Sequence, residues 1–262
     1  MDNSKLIRVA LFQTSSRDGE VEENFSKVEK LFHRLKNPPR LIVLPEMWPS
    51  GFRVVEGKKL LQQTEEILEK LVKHARELNS YIIGSHLSKA PQGFYNTATV
   101  MDPRGEIIAS YHKAHLFALG GEAKKFKAGN KSVVVSTKLG KIGLAICYDI
   151  RFPEFIRKEV LAGAELICVP SAWPLARIEH YRLLLRARAI ENQCFILSSN
   201  KVGKNAEGIE YGGHSVALDP WGEVLGELKN KEGILELELD LQKVKEIRKN
   251  FPVLSARQEK IY

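Results

Sequence analysis

The sequence contains little cysteine and no spacing that would use cysteine structurally. Three cysteines, Cys147, Cys168 and Cys194, occur in 262 residues, and none belongs to a C-x-x-C pair. Three widely spaced thiols argue against a disulfide framework. They argue equally against a structural zinc site, which takes four closely spaced ligands. We therefore expect free thiols and no structural metal.

Long apolar runs are also missing. A helix that crosses a bilayer needs about 20 consecutive apolar residues, and no apolar stretch of the chain approaches that length. The apolar run near the N-terminus, LIRVALF, is too short for a signal-peptide core, and no small-residue cleavage site follows it. Hydrophobic residues make up 44% and charged residues 27% of the chain, ordinary values for a globular protein. These features predict a cytoplasmic location and no membrane partner.

Clustered positive charge is scarce, although the formal net charge is +8. Lysine and arginine alternate with glutamate along stretches such as QQTEEILEKLVKHARELN. This mixture is typical of solvated helix faces with ion pairs at i,i+4 spacing. A nucleic-acid interface would group its basic residues on one face. We therefore expect no nucleic-acid partner.

Two halves of the chain show the same order of predicted elements. The first reads strand, helix, strand, helix, strand and hairpin, from LIRVALFQT through a second helix over residues 64–79 to FYNTATVMDPRGEIIASYHK. The second repeats this order from KIGLAIC to HSVALDPWGEVLGEL, and the turns DPRG and DPWG match. The repetition predicts an α/β fold in which residues 1–262 form a single domain. Residues 251–262 are predicted to be a frayed end or an arm on a neighbouring subunit.

Cys147 stands where an apolar run ends, in KIGLAICYDIRFPE, just before a helix predicted to start near Pro153. A side chain at such a strand-to-helix turn faces backbone N–H dipoles, and these dipoles, with Arg151, favour the thiolate. A free cysteine is also a common small core residue. For Cys168 and Cys194, the interpretation as core residues is favoured. For Cys147, the position in the sequence leaves two interpretations open, a core residue and a reactive thiol.

A nucleophilic cysteine needs a base, and two kinds are available. His115 and His214 are the histidine candidates. Glu46 is the carboxylate candidate, because it follows an apolar strand in LIVLPEMW, where α/β proteins build their sites. The alternative for Glu46 is a surface acid that caps a loop. Lys113 also closes a strand-like segment, and such a lysine is ordinarily a solvated edge residue.

Three separated blocks, LPEMWPSGF, YHKAHLF and GLAICYDIRFPE, resemble the catalytic blocks of the nitrilase superfamily of carbon–nitrogen hydrolases, in the same order. The similarity extends to FKAGN, RARAIENQ, GHSVALDPWGE and FPVLSARQ. The resemblance implies a four-layer-forming α-β-β-α sandwich and a homodimer or higher homo-oligomer. It also implies hydrolysis of a small-molecule amide without a metal or organic cofactor.

Carried over residue by residue, the resemblance implies a role for each of four side chains. Glu46 would be the general base, Lys113 the electrostatic stabiliser and Cys147 the nucleophile that forms a thioester. Glu122, in LGGEAKKFKAGN, matches a second acid that many amidases of the family place near the lysine. The two histidines would then have packing or hydrogen-bonding roles.

The substrate is indicated by LPEMWPSGF and SAWPLARIEHYRLLLRARAIENQ, which most resemble the ω-amidase branch acting on 2-oxoglutaramate and 2-oxosuccinamate. These substrates carry a carboxylate, so a cation is expected at the far end of the pocket. Arg177 and Arg151 are the candidates, with surface salt bridges as the alternative. The side chains expected in the pocket wall, unless they are ordinary core, are Trp173, Phe117, Tyr148 and Met47.

Other functions remain open from the sequence. The blocks are also similar to those of deaminated-glutathione amidases, whereas Glu122 and the chain length fit a true nitrilase less well. A different class would be a non-catalytic binding protein that keeps the fold. The intact set of Glu46, Lys113 and Cys147 argues against that class.

Overall fold

The computed structural model describes residues 6–54 and 57–261. Residues 1–5 and Tyr262, the ends of the predicted domain and arm, lie outside the described residues. The helices described are α1 (Val21–Phe32), α2 (Gly57–Leu78), α3 (Glu122–Lys125), α4 (Pro153–Leu161), α5 (Ile178–Asn192) and α6 (Gln242–Asn250). The strands described are β1 (Leu6–Gln13), β2 (Leu41–Val43), β3 (Tyr81–Ala90), β4 (Gly93–Met101), β5 (Ile107–His112), β6 (Val134–Thr137), β7 (Gly140–Leu144), β8 (Leu166–Ser171), β9 (Phe195–Asn200), β10 (Val202–Lys204), β11 (Glu210–Gly212), β12 (Val216–Leu218), β13 (Val224–Glu227) and β14 (Gly233–Asp240).

Two six-stranded sheets have matching topologies. Their strand orders are β14-β1-β2-β3-β4-β5 and β6-β7-β8-β9-β12-β13. In each sheet, three parallel strands form the centre, an antiparallel strand covers one edge, and a hairpin completes the other. The two halves predicted from the element order are therefore present as two sheets of the same design.

The hairpin turns repeat this correspondence at atomic detail. The carboxylate of Asp102 accepts hydrogen bonds from the backbone N–H groups two and four residues later, and Asp219 does the same in the second hairpin. Gly105 and Gly222 both have φ of 77°, which glycine adopts without steric cost. The shared D-P-x-G pattern thus specifies the same turn twice.

Apolar side chains of the two sheets meet in a common core, to which β1 contributes Val9 and Leu11 and β7 contributes Leu144. Helices α1 and α2 cover the outer face of the first sheet, where Phe25 and Val28 are buried. Helices α4 and α5 cover the second sheet. Burial along α1 follows helical spacing, as expected for one apolar face. The predicted α-β-β-α sandwich is confirmed.

Some elements differ from the sequence-based interpretation. Helix α2 begins at Gly57, seven residues before the predicted start. The sequence pattern misses these first turns because they carry few apolar residues, and Leu60 is the only large apolar side chain buried there. Strands β6 and β14 and helix α6 had not been predicted. Strand β14, GILELELD, forms the antiparallel edge beside β1, and its pairing depends on a strand more than 220 residues away in sequence.

Candidate active site

The polar groups of the site come from the ends of strands in both sheets. Glu46 lies just beyond β2, Lys113 follows β5, and Cys147 follows β7 and starts a short 3₁₀ helix. All three are buried, with exposed fractions of 1%, 1% and 7%. Strand β5 is an edge strand, but it runs in the same direction as the central strands β2 and β3, so its carboxyl end lies at the same edge of the sheet. Sites in α/β folds are built at this edge.

Lys113 joins two carboxylates in this buried cluster. Its Nζ donates hydrogen bonds to Glu46 Oε1 at 2.7 Å and to Glu122 Oε1 at 2.8 Å. The amide of Asn96, on β4, donates to the same Glu46 oxygen at 2.8 Å. Glu46 Oε2 is buried and has no hydrogen-bond partner among the residues that the structure describes. One oxygen of Glu46 is therefore fixed by two donors, and the other is available to accept a proton.

The charges in the cluster depend on one another. Burial alone would lower the pKa of Lys113, but the carboxylates of Glu46 and Glu122 outweigh this and hold the pKa well above its ordinary value. Burial raises the pKa of Glu122, although Lys113 and a hydrogen bond from the Phe117 N–H act in the opposite direction. The lysine therefore stays an ammonium at any pH at which the protein functions.

Cys147 adopts a left-handed backbone conformation, with φ of 46°. Such a conformation is uncommon for a residue with a side chain, and it is often retained where a reactive group must be presented. Burial, followed by the negative charge of Glu46, raises the pKa of the thiol well above its ordinary value, while Lys113 and the Ala172 N–H partly oppose them. The expectation that this turn favours a thiolate is therefore wrong, because burial outweighs the dipoles. Burial therefore favours the thiol form of Cys147 before substrate binds.

Asp149 holds the turn that carries the cysteine. Its Oδ2 accepts from the Ile146 N–H and the Tyr111 hydroxyl, both at 2.8 Å. Its Oδ1 accepts from the His115 N–H at 3.1 Å and contacts His115 Nδ1 at 2.8 Å. Because Tyr111 and His115 flank Lys113 in sequence, Asp149 ties the lysine segment to the cysteine segment.

The two histidines are engaged away from the thiol. His115 pairs with Asp149 and stacks on Phe152 at a ring-centroid distance of 3.7 Å. His214 Nδ1 lies 2.8 Å from Glu227 Oε1. Of the two kinds of base considered from the sequence, the geometry therefore favours the carboxylate.

A cavity of about 290 Å³ opens above the cluster. Glu46, Cys147 and Glu122 reach its floor. All five residues expected to contact substrate line it: Tyr148, Arg151, Trp173, Arg177 and Phe117. Met47 is not among the lining residues; it is buried with the α1–α2 layer, so its core alternative is correct.

Several wall residues were not found from the sequence. The lining residues not anticipated are Phe52, Leu119, Gly120, Lys125, Ala172, Pro174, Asn205, Glu207, Ile209 and Tyr211. Four of these come from β11 and the loop that precedes it. The stretch NAEGIEYGG shows only a turn-like composition. No local pattern indicates that such a loop faces the cysteine, because the contact forms only when the sheets fold.

Two guanidinium groups lie on the cavity wall over aromatic rings. The Cζ atom of Arg151 is 4.8 Å from the Trp173 ring centroid, and that of Arg177 is 5.4 Å from the Phe117 centroid. Within residues 6–54 and 57–261, neither has a carboxylate at salt-bridge distance. Stacking orients both groups. One guanidinium nitrogen of Arg151 contacts His180 Nδ1 at 3.4 Å, and its other N–H donors, with those of Arg177, can bind an anion.

Within the described part of the chain, no group of three or more histidine, cysteine, aspartate or glutamate side chains is arranged to hold a metal ion. None of the helices described is both long and apolar enough to cross a membrane.

An α-β-β-α sandwich with a buried glutamate–lysine–cysteine cluster has the groups that acyl transfer through a cysteine requires. The carbon-nitrogen hydrolase family model matches residues 8–249. The chain is 37% identical over 246 residues to a 2-oxoglutaramate amidase of Bacillus subtilis, covering 93% of this chain and 95% of that protein. It is 34% identical over 274 residues to a deaminated glutathione amidase of Dictyostelium discoideum, covering 96% of this chain and 94% of that protein. The chain belongs to the carbon–nitrogen hydrolase family.

The fold agrees with solved structures of this family. The crystal structure of the Caenorhabditis elegans NitFhit protein matches with a TM-score of 0.91 at 33% identity, over all of this chain and 67% of that one. The family, the α-β-β-α sandwich and the hydrolase class predicted from the sequence are therefore confirmed.

Proposed function

We propose that the protein hydrolyses the amide of a small substrate that also bears a carboxylate, and that 2-oxoglutaramate is such a substrate. The observation that carries this proposal is the pairing of a buried Glu46–Lys113–Cys147 cluster with two available guanidinium groups in one cavity. The Bacillus subtilis relative that is 37% identical, a 2-oxoglutaramate amidase, supports the choice of substrate.

Acylation begins with proton transfer from the thiol. Glu46 Oε2 accepts the Cys147 proton as the sulfur attacks the amide carbon, so a free thiolate need not accumulate. The ammonium of Lys113 and the backbone N–H of Tyr148 stabilise the oxyanion. Each preorganised donor of this kind contributes about 3–4 kcal/mol to the transition state. Glu122 holds the lysine in place.

Breakdown of the tetrahedral intermediate returns the proton to the leaving group. Protonated Glu46 donates to the departing nitrogen, ammonia leaves, and a thioester on Cys147 remains. Glu46, again a carboxylate, takes a proton from water as the water attacks the thioester carbon. The acid product leaves, and Glu46 returns that proton to the sulfur. Every step uses side chains of the buried cluster.

The carboxylate of the substrate is expected to bind Arg177, with Arg151 beside it. Arginine binds a carboxylate through two parallel hydrogen bonds, and the low dielectric of a cavity wall strengthens them. Because both groups are already oriented by aromatic rings, little side-chain entropy is lost on binding.

Replacing Arg177 by methionine should raise the KM for 2-oxoglutaramate by about 10- to 100-fold, since a hydrogen bond to a charged group contributes about 1.5–3 kcal/mol. The activity on butyramide, which has no carboxylate, should change little. Steady-state kinetics on both substrates measure the difference. Arg34→Met, at an exposed arginine after α1, is the control. An equal effect on the two substrates would contradict the assignment, and the same assay on Arg151→Met ranks the two arginines.

A second candidate substrate is deaminated glutathione. The cavity mouth is lined by Leu119, Lys125 and Glu207, which offers contacts for a leaving group larger than ammonia. The 34% identical Dictyostelium discoideum relative is a deaminated glutathione amidase. Comparing kcat/KM for 2-oxoglutaramate, deaminated glutathione and a simple nitrile separates the two amidase functions and nitrilase activity.

We further propose a cytoplasmic homodimer in which residues 1–262 form one domain. The three described cysteines are free, which suits a reducing compartment.

Exposed apolar side chains gather around α5, the β12–β13 hairpin and the start of the predicted arm: Leu183, Ile190, Trp221, Val224, Phe251 and Val253. Trp221 and Phe251 are in ring contact at 5.7 Å. An apolar surface of this kind is typical of an interface.

Sedimentation equilibrium should therefore give twice the 29.6 kDa chain mass. Leu183→Glu should shift the protein toward monomer, because a buried unpaired carboxylate opposes association. Ile107→Glu, at an exposed apolar position on the other sheet, should leave the mass unchanged. A monomeric wild-type chain would rule out the dimer.

A further inference from the structure

Lys201 is a second buried lysine near the cluster, and the mechanism above does not use it. It follows β9, the strand beside β8, and 1% of its surface is exposed. Its Nζ donates a hydrogen bond to the Met47 carbonyl at 3.1 Å and lies between the rings of Phe52 and Tyr211. Lys201 has no ion-pair partner at salt-bridge distance in the part of the chain that is described.

The Met47 carbonyl belongs to the turn that orients the general base. Met47 follows Glu46 directly and has a left-handed φ of 45°. Backbone contacts hold this turn: the Glu46 N–H donates to Ser171 O, and the Met47 N–H donates to Ser85 Oγ. The Met47 carbonyl accepts two hydrogen bonds, from the Gly51 N–H at 2.9 Å and from the Lys201 ammonium, which is its only charged donor among the described residues. A charge-assisted hydrogen bond is roughly twice as strong as a neutral one, so the ammonium form of Lys201 holds the carbonyl best.

Lys201 also balances the buried charge. Glu46 and Glu122 are two carboxylates, and Lys113 supplies only one positive charge. The charged or titratable groups that act on Lys201 are Asp18, Glu46 and Cys147, with Tyr211 against its ammonium. Asp18 is held by the backbone N–H groups of Phe52 and Ala206. A second ammonium therefore lies close enough to Glu46 and Cys147 to act on them electrostatically.

We propose that Lys201 is a positioning residue for the general base: its ammonium holds the Met47 carbonyl and so keeps Glu46 aimed at the Cys147 thiol. The proposal rests on the proposed role of Glu46. It requires that proton transfer weaken when Lys201 loses its charge, even though Lys201 touches neither the substrate nor the sulfur.

The loss of this charge falls in an accessible pH range. Burial lowers the pKa of Lys201 to about 8, and Asp18, Glu46 and Cys147 only partly compensate. Since the folded-state pKa lies below that of a free lysine, the ammonium is complete below about pH 7 and is lost as the pH rises through 8. Activity that depends on the ammonium should decline over the same range.

The test is the pH profile of wild type, Lys201→Arg and Lys201→Met between pH 6 and about 10. Wild type should show an alkaline decline in kcat/KM for 2-oxoglutaramate centred near pH 8. Lys201→Arg should move this decline upward by at least about one pH unit, because guanidinium stays protonated. Lys201→Met should lower kcat at least about tenfold at pH 7 with little change in KM, and should lack the decline.

A second readout does not depend on the substrate. Alkylation of Cys147 by iodoacetamide, followed by intact mass, also requires removal of the thiol proton, and its rate should follow the same three profiles. Lys204→Met, at an exposed lysine on β10, is the matched control and should behave as wild type. If wild type hydrolyses no amide, the proposed substrate is wrong, and alkylation still tests Lys201. A Lys201→Met protein with wild-type alkylation and an unchanged profile would overturn the positioning role.

Discussion

Cys147→Ala should lower kcat/KM on 2-oxoglutaramate by on the order of 10⁴-fold or more, with the fold unchanged. The sulfur forms the covalent intermediate, and no neighbouring group in the cavity can replace a missing nucleophile. Removing one small side chain that is 7% exposed costs little stability. Steady-state kinetics and thermal unfolding measure the two effects separately.

The other two cysteines provide matched controls. Cys168 and Cys194 are fully buried in the core of the second sheet. Alanine at either position should cost on the order of 1 kcal/mol of stability through a small cavity, with kcat/KM almost unchanged. Rapid quenching of wild type with substrate should add an acyl mass to the peptide that contains Cys147. Full activity in Cys147→Ala, or acylation elsewhere, would refute the nucleophile assignment.

Lys113→Met should lower kcat/KM by at least about 10²- to 10³-fold and should also destabilise the protein. The variant loses a preorganised donor to the oxyanion. It also leaves the Glu46 and Glu122 carboxylates buried side by side without their cation, which costs about 3–5 kcal/mol. Kinetics report the first loss, and a fall in Tm on the order of 10 °C reports the second.

A double-mutant cycle separates these two roles of the lysine. Adding Glu122→Gln to Lys113→Met removes one of the two uncompensated carboxylates, so stability should partly recover while activity stays low. Lys127→Met, at an exposed lysine after α3, should change neither quantity. Near-normal turnover in Lys113→Met would show that the ammonium does not stabilise the oxyanion.

Much of the architecture could be predicted because its determinants are local. The alternation of strands and helices, the two D-P-x-G hairpins and the strand-end positions of Glu46, Lys113 and Cys147 are all visible within short windows. The edge strand β14 was not predicted, because its assignment depends on pairing with β1 at the opposite end of the chain. The start of α2 was missed because its first turns carry few apolar residues.

The protonation state of Cys147 shows why local reasoning has a limit. Its sequence neighbours, a helix start and Arg151, point toward a thiolate. In the folded protein, burial and the nearby Glu46 carboxylate reverse that direction. Desolvation is a property of the whole packed environment and is not encoded by adjacent residues.

The residue types that the chemistry needs, an acid, an ammonium and a thiol, can be read from the sequence, together with the strand ends that carry them. Three contacts become visible only in the folded protein: Asn96 fixes one oxygen of Glu46, Asp149 joins the lysine and cysteine segments, and Lys201 reaches the Met47 carbonyl. The physical reason is that hydrogen bonding and burial act over a few ångströms in space. Residues that are dozens of positions apart become neighbours only when the two sheets come together.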